Sequence, residues 1–371
     1  MNRPLSSRAA SVAILAPMLS LGMPWSALAA EPALLIQAAK RSPAPPWSAG
    51  DERGMANTLG PITLQRCAWH MAQPRSQVYE ASFVRSMTMP KSPFASPAGT
   101  QYKATGGVPF SAHAFNSEVM QANAEPGQQG TQIDALGHFA YISKPWDPKD
   151  PFPADEARYY GGFTQKDVKP TPESPLLKMG IDKIPPLLTT AVLLDARTVV
   201  GKGQPLTDGQ LVTAAHIEAM LKAQGLAQRG VLPGDMVWVY TGWSERWKDP
   251  ADEASNYYTM APGLAMDAAN WLGAKRVVAV GLDAPFIDAV PAGMLQGKAP
   301  PAPGTPPGLP FGIHHTLITQ FGIHHLENLN LAAMAKDKVW TSCAMVLPAR
   351  DQGAAGAAVR PVAVGVPNQL P

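Results

Sequence analysis

Cysteine is scarce: the 371-residue chain has two, Cys67 and Cys343. Two thiols can build neither a disulfide-dense scaffold nor a four-cysteine zinc site. Charge is also low, at 16% of residues, against ~25% in an average domain. The apolar fraction is 46%, and low charge with ordinary apolar content excludes a disordered chain. Neither sign dominates, with 30 basic and 28 acidic residues. The chain therefore has no global field to attract nucleic acid or anionic lipid. Beyond the first thirty residues no apolar run approaches the ~20 needed to span a membrane. There is no Gly-x-Gly-x-x-Gly and no Walker sequence. Gly-x-Ser-x-Gly is also missing, and Ser244, in Gly-Trp-Ser-Glu-Arg, stands in the wrong frame for a nucleophile elbow. Nucleic acid and membrane are therefore not expected as partners. Homo-oligomer formation is left open.

What is present begins at the N-terminus. Arg3 and Arg8 precede an apolar stretch from Ala9 to Leu21, and Ala27-Leu28-Ala29 forms a small-x-small cleavage pattern. These features predict a Sec-type signal peptide over 1–29 and a periplasmic mature chain, 30–371. Cleavage removes two arginines and no acid, so the remaining charges balance. The periplasm permits a Cys67–Cys343 disulfide. With Cys343 inside a strand-like run, however, the simpler expectation is two separate buried thiols. Proline is abundant at 39 residues, about twice the ~5% average. It concentrates in a Pro/Gly-rich loop over 291–310, where regular structure is disfavoured. Such a loop inside a compact domain reads as a lid or wall, with a floppy surface insertion as the alternative.

Residues 30–60 read as an extended arm, followed by a helix over 61–73 opened by Pro61. Ala191–Asp195, Met236–Thr241 and Arg276–Leu282 read as short β-branched strands. Between them lie helices at Gly209–Gln224, with Asp208 as cap, and Leu264–Leu272. Alternating strand and helix predicts an α/β domain.

Two constellations carry chemistry. His314, His315, His324 and His325 lie within twelve residues, with Glu327 behind them. Imidazole plus carboxylate is a usual ligand set for zinc or manganese, although histidines also cluster on ordinary polar faces. The pentapeptide Phe-Gly-Ile-His-His occurs twice here, at 311–315 and 321–325. The second constellation is Gln128-x3-Gln132-x-Asp134-x3-His138. On an extended segment Gln132 and Asp134 project to one side. Asp134 offers a hard oxygen and His138 a base with a near-neutral pKa. Asp134 as a mere helix cap is the plainer alternative. His70 and His113 read as structural or surface residues, and His216 as a solvated helix residue.

The segment GTQIDALGHF resembles the signature His-x-Gly-Thr-His-x-Asp-x-Pro-x-His of the cyclase family of metal-dependent hydrolases. That family includes bacterial kynurenine formamidase and isatin hydrolase. DERGMANTLGPITL (51–64), YTGWSERW (240–247), APGLAMDAANWL (261–272), VAVGLDAP (278–285) and VRPVAV (359–364) are similar to further family segments in the same order. The departures are Gln128 and Gln132 in place of the first two signature histidines, a variant closer to trans-dienelactone hydrolase. Leu136 stands where the signature has proline.

The resemblance implies a single α/β domain with a central mixed sheet flanked by helices. It implies Asp134, His315 and Glu327 as ligands of one divalent ion (Mn2+ or Zn2+), with Gln132 and Gln128 as weaker candidates and His138 as general base. Amide oxygens are harder than imidazole, which shifts preference away from zinc. The expected activity is hydrolytic opening of a small lactone or cyclic amide. The alternatives are an arylformamidase of the kynurenine type and a non-catalytic binding protein with a degraded metal site. Trp243 and Phe286 are candidate pocket walls, although ordinary core packing explains them equally well.

Overall fold

Short β-branched runs alternate with capped helices to give one nine-stranded mixed sheet. It is seen in a computed structural model that describes residues 31–97, 99–107, 109–120 and 125–368. The expected signal peptide over 1–29 lies outside the described residues. The strands are β1 (Gln77–Glu80), β2 (Gln132–Asp134), β3 (Leu187–Asp195), β4 (Met236–Tyr240), β5 (Ala279–Leu282), β6 (His324–Glu327), β7 (Thr341–Val346), β8 (Gly356–Ala358) and β9 (Val362–Gly365). Their order in the sheet is β1-β9-β7-β3-β4-β5-β6-β2-β8. The central four, β3 to β6, run parallel, and the pairings outside them are antiparallel.

The main helices are α1 (Ala33–Ala39), α2 (Pro61–Met71), α3 (Ala214–Ala223), α4 (Met266–Lys275) and α5 (Ala332–Lys336). The parallel strands are buried on both faces, as crossover connections require. Alternate residues face opposite ways: Val192, Leu194, Val237 and Val239 pack with Ile217, Met220 and Leu272 of α3 and α4. Leu193, Met236 and Trp238 turn to the other face, against Met334 of α5.

The α/β expectation and its three central strands hold, but several local expectations change. Helix α3 begins at Ala214, not Gly209. Thr213 caps it by accepting from the His216 N–H, and His216 Nδ1 accepts from the Thr213 N–H, each at 3.2 Å. His216 therefore closes a capping box. Asp208 instead accepts from the Ala292 N–H at 3.1 Å, tying down the start of the Pro/Gly-rich loop.

The 30–60 segment is not a plain extended arm. It carries α1, and it opens with Glu31, which is buried. Glu31 takes Arg66 at 2.9 Å, Arg229 at 2.7 Å, the Thr190 hydroxyl at 2.8 Å and His70 at 3.3 Å. Asp235 completes the cluster through both arginines. His70 is accordingly a structural residue. Cys67 of α2 and Cys343 of β7 form a disulfide, where separate thiols were expected. Helix α2 packs across β7 and β3, which brings the two sulfurs together.

Candidate metal centre

Strand register assembles the centre. In the antiparallel β2–β6 pair, Asp134 lies opposite His325 and Gln132 opposite Glu327. Period-two alternation puts all four on one face and sends Ile133 and Leu326 to the opposite core. A third element adds His314. Asp288 accepts from the Ile313 N–H at 2.7 Å and the His314 N–H at 3.2 Å, and its Oδ2 lies 2.6 Å from His314 Nδ1. Asp288 thus holds both the helical turn Gly312–His314 and the imidazole at its end. His314 Nε2 is then 3.7 Å from Asp134 Oδ2 and 3.5 Å from Glu327 Oε1.

Asp134, His314, His325 and Glu327 each offer one ligand atom within 4.8 Å of the others, and all four residues are buried. Burial and the adjacent Asp134 carboxylate push Glu327 well above the usual carboxylate range. Burial alone would depress His314, but the Asp288 hydrogen bond and the surrounding carboxylates outweigh it and raise its pKa to about 9. Burial holds His138 and His325 below the usual imidazole range. Both Asp134 carboxylate oxygens are buried without a hydrogen-bond partner. His314 Nε2, at 3.7 Å, stops short of a hydrogen bond to Asp134 Oδ2; leaving buried polar oxygens without one is costly, and a divalent cation is the partner this donor set fits.

Of the two signature glutamines, Gln132 bonds Glu327 and Gln128 bonds Gln132. Gln132 Nε2 donates to Glu327 Oε2 at 3.1 Å and to Gln128 Oε1 at 3.3 Å, and the Ile287 N–H donates to Glu327 Oε1 at 3.2 Å. Gln132 is in contact with the centre, and Gln128 is one residue behind it.

His315, expected beside Asp134 and Glu327, is not in the group. It follows His314 on a helix, where consecutive side chains diverge by ~100°. Its half-buried ring lies 5.0 Å from Tyr141, and its Nε2 is 3.1 Å from the Gln320 amide. His324 points off the other face of β6, with Nδ1 3.2 Å from the Asp134 carbonyl oxygen.

A cavity of about 240 Å³ opens onto the centre, lined in part by His138, His314, Gln132 and Glu327. The His138 ring is 6.2 Å from that of His314. The walls are aromatic: Phe94, Phe286 and Phe311 stand with ring centroids about 6 Å apart, and Phe139 packs beside Phe311. Phe286 is a wall residue as expected. Trp243 is not, being fully buried with its Nε1 donating to the Tyr257 carbonyl at 3.1 Å. The Pro/Gly-rich loop stops one residue short of the cavity. Its Pro306–Pro310 end instead lines a neighbouring groove against residues 139–146, and Phe311, the residue that follows it, reaches the wall. From sequence, His314 and His325 stood only as members of the histidine cluster, and Asp288 was not singled out. The His-x-Glu alternation of 325 and 327 was the signal for His325.

Fold and centre together define a mixed-sheet α/β protein with a carboxylate–imidazole cluster of the kind that takes a divalent metal. The chain belongs to the cyclase family: the family described as putative cyclase matches residues 60–289. Among solved structures it is similar to a novel cyclase at 23% identity, covering 85% of this chain and 95% of that one, with a TM-score of 0.68. It is also similar to isatin hydrolase A from Labrenzia aggregata bound to benzyl benzoate, at 16% identity, coverage of 82% and 99%, and a TM-score of 0.52. A predicted metal-dependent hydrolase from Bacillus stearothermophilus aligns at 17% identity over 78% of this chain and 98% of that one, with a TM-score of 0.45. No curated protein matches the chain.

Proposed function

We propose that the chain is a metal-dependent hydrolase that opens a small, uncharged lactone or cyclic amide. The observation that carries this reading is the unpartnered Asp134 carboxylate, buried beside Glu327 and His314 at the end of an aromatic cavity. Asp134, Glu327 and His314 would hold one divalent ion, Mn2+ or Zn2+. Such an ion, when bound, acidifies water and polarises a carbonyl.

The remaining work falls to the chain's own side chains. His138, on the cavity wall, takes a proton from the attacking water and returns it to the leaving oxygen or nitrogen. Asp288 keeps His314 in one ring orientation. Phe94, Phe286 and Phe311 hold a planar ring and exclude water from the reacting carbonyl.

The cavity chemistry favours this substrate class over a kynurenine-type formamide. No lysine or arginine is among the described residues lining the cavity, so away from the metal centre and its His314 an amino-acid carboxylate would find no cationic side chain and lose solvation. The Cys67–Cys343 disulfide supports placing the reaction in the periplasm, because structural disulfides persist in oxidising compartments.

Elemental analysis of purified protein, alongside a panel of lactones, isatin-like imides and formylated anilines, tests the reading. Stoichiometric manganese or zinc with turnover of neutral cyclic substrates is expected. Metal with turnover of formylated anilines alone would favour the arylformamidase, and protein without metal or turnover a binding role.

A further inference from the structure

We propose that His325 is a fourth ligand of the metal, so that the centre takes one imidazole from each copy of the repeated Phe-Gly-Ile-His-His. This rests on the metal-dependent reading above and adds a residue that neither the signature nor the ligand set expected from the resemblance contains. His325 is fully buried, and both of its ring nitrogens lack any hydrogen-bond partner. A structural histidine normally has a bond to justify its polarity, and an unmade one costs about 1–3 kcal/mol. Its neighbours show the contrast. His314 uses Nδ1 on Asp288 and His324 uses Nδ1 on the Asp134 carbonyl, whereas His325 uses neither nitrogen. A ligand atom of His325 nonetheless lies within 4.8 Å of the ligand atoms of Asp134, His314 and Glu327, and its ring meets that of His314 edge-on at 4.6 Å.

The repeat explains how one pentapeptide supplies two different positions. The first copy closes a helical turn, where Asp288 selects its fourth residue, His314, and the fifth, His315, swings out. The second copy runs into strand β6, where alternation puts the fifth residue, His325, on the face of Glu327 and sends the fourth, His324, away. Gln132 meanwhile spends its amide N–H on Glu327. The resulting set is two imidazoles and two carboxylates. The two negative charges balance a divalent cation, and the second imidazole restores the zinc affinity that amide oxygens in place of histidine would lower.

The test is metal binding, independent of turnover. Full-length mature protein is stripped with a chelator and titrated with zinc, manganese and cobalt(II) as wild type, His325→Leu, His315→Ala and Asp134→Ala. Leucine fills the volume without offering a ligand. His325→Leu is expected to weaken zinc binding by more than about 100-fold, above the range for an outer partner. It should weaken manganese less and alter the cobalt(II) visible spectrum. His315→Ala should match wild type in affinity and spectrum. Gln132→His in the His325→Leu background should recover zinc affinity, because position 132 shares the face of Asp134 beside Glu327. X-ray absorption of the zinc-loaded wild type, which needs no variant, should count two imidazoles. Wild-type affinity and spectrum in His325→Leu, or a count of one imidazole, with metal lost in Asp134→Ala, overturns the inference and leaves the metal-dependent reading standing. A wild type that takes up no divalent metal overturns both.

Discussion

Glu31→Gln isolates the buried ion cluster at the start of the described chain. Glu31 and Asp235 oppose Arg66 and Arg229, and the four ionic side chains are at most 8% exposed. The substitution keeps the shape and an acceptor for Thr190 but leaves two guanidinium groups against Asp235 alone. Removing one member of a buried pair costs about 3–5 kcal/mol, because the partner's charge is left uncompensated. At ~2 °C per kcal/mol for a chain of this size, the melting temperature should fall by roughly 6–10 °C. The pH dependence has a definite sign. Burial pushes the Glu31 carboxyl up, but Arg229, the His70 hydrogen bond and Arg66 outweigh it and hold the group well below the usual carboxylate range. Its contribution is complete above the unfolded carboxylate pKa and is lost as pH falls towards the folded value. Calorimetry of wild type and Glu31→Gln from pH 8 to 3 should therefore show a constant gap down to about pH 5 that narrows on further acidification. A loss below about 1 kcal/mol, or a gap that widens in acid, would refute the claim that Glu31 compensates the two buried guanidinium groups.

Reducing the disulfide releases a loop of 276 residues, so reductant or Cys67→Ser should cost up to about 5 kcal/mol in a denaturant melt; identical melts with and without reductant would contradict this. Asp288→Asn should weaken zinc binding by about 10–100-fold in a chelator competition, since His314 loses the carboxylate that orients it; unchanged affinity would show that the helical turn alone sets the ring. His138→Ala should keep its metal while kcat falls by about 10²–10⁴-fold, whereas Asp134→Ala should lose both; metal loss in His138→Ala would make His138 a ligand instead.

Much of this fold was legible because its local signals agree. The β-branched runs at 191–195, 236–241 and 276–282 match β3, β4 and β5, since fully buried parallel strands need continuous apolar stretches. The α3 start was missed because two cap candidates lie five residues apart. Asp208 had a loop amide to satisfy, and Thr213 had His216 to reciprocate. At the centre, Gln132, Asp134 and His138 come from one contiguous signature and Glu327 from the later histidine-rich segment, and strand register brings Gln132 and Asp134 to the same face as Glu327. Of the adjacent pair His314-His315, the structure brings His314 to the group and turns His315 away, because a resemblance in sequence does not fix helix phase. Asp288, in Ile287-Asp288-Ala289, gave no signal. Its partners are 25 and 26 residues away in sequence.

The repeated pentapeptide marks where sequence reading runs out, and its glycines make that testable. Gly312 and Gly322 hold the same place in identical strings, yet their surroundings differ. Gly312 is helical, and an added Cβ would meet the Met266 sulfur and a Pro306 carbon at 3.1 Å. Gly322 has φ +65°, and its Cβ would lie 2.6 Å from the Tyr160 ring and 2.9 Å from the Gly54 Cα. Its carbonyl accepts from the Met55 N–H at 2.8 Å. An L side chain in the left-handed region costs about 1–2 kcal/mol, and forced overpacking adds about 1–3 kcal/mol. Gly322→Ala should therefore destabilise by roughly 2–5 kcal/mol. Strand β6 begins two residues later, so the same substitution should also shift His325 and Glu327 and weaken metal binding. Gly312→Ala asks only that the flexible Met266 side chain and the neighbouring loop yield by a few tenths of an ångström, and it should cost less on both measures. Paired thermal melts and zinc titrations of the two variants decide the matter. Equal losses, or a larger loss in Gly312→Ala, would show that the left-handed turn at Gly322 does not set the register that assembles the centre.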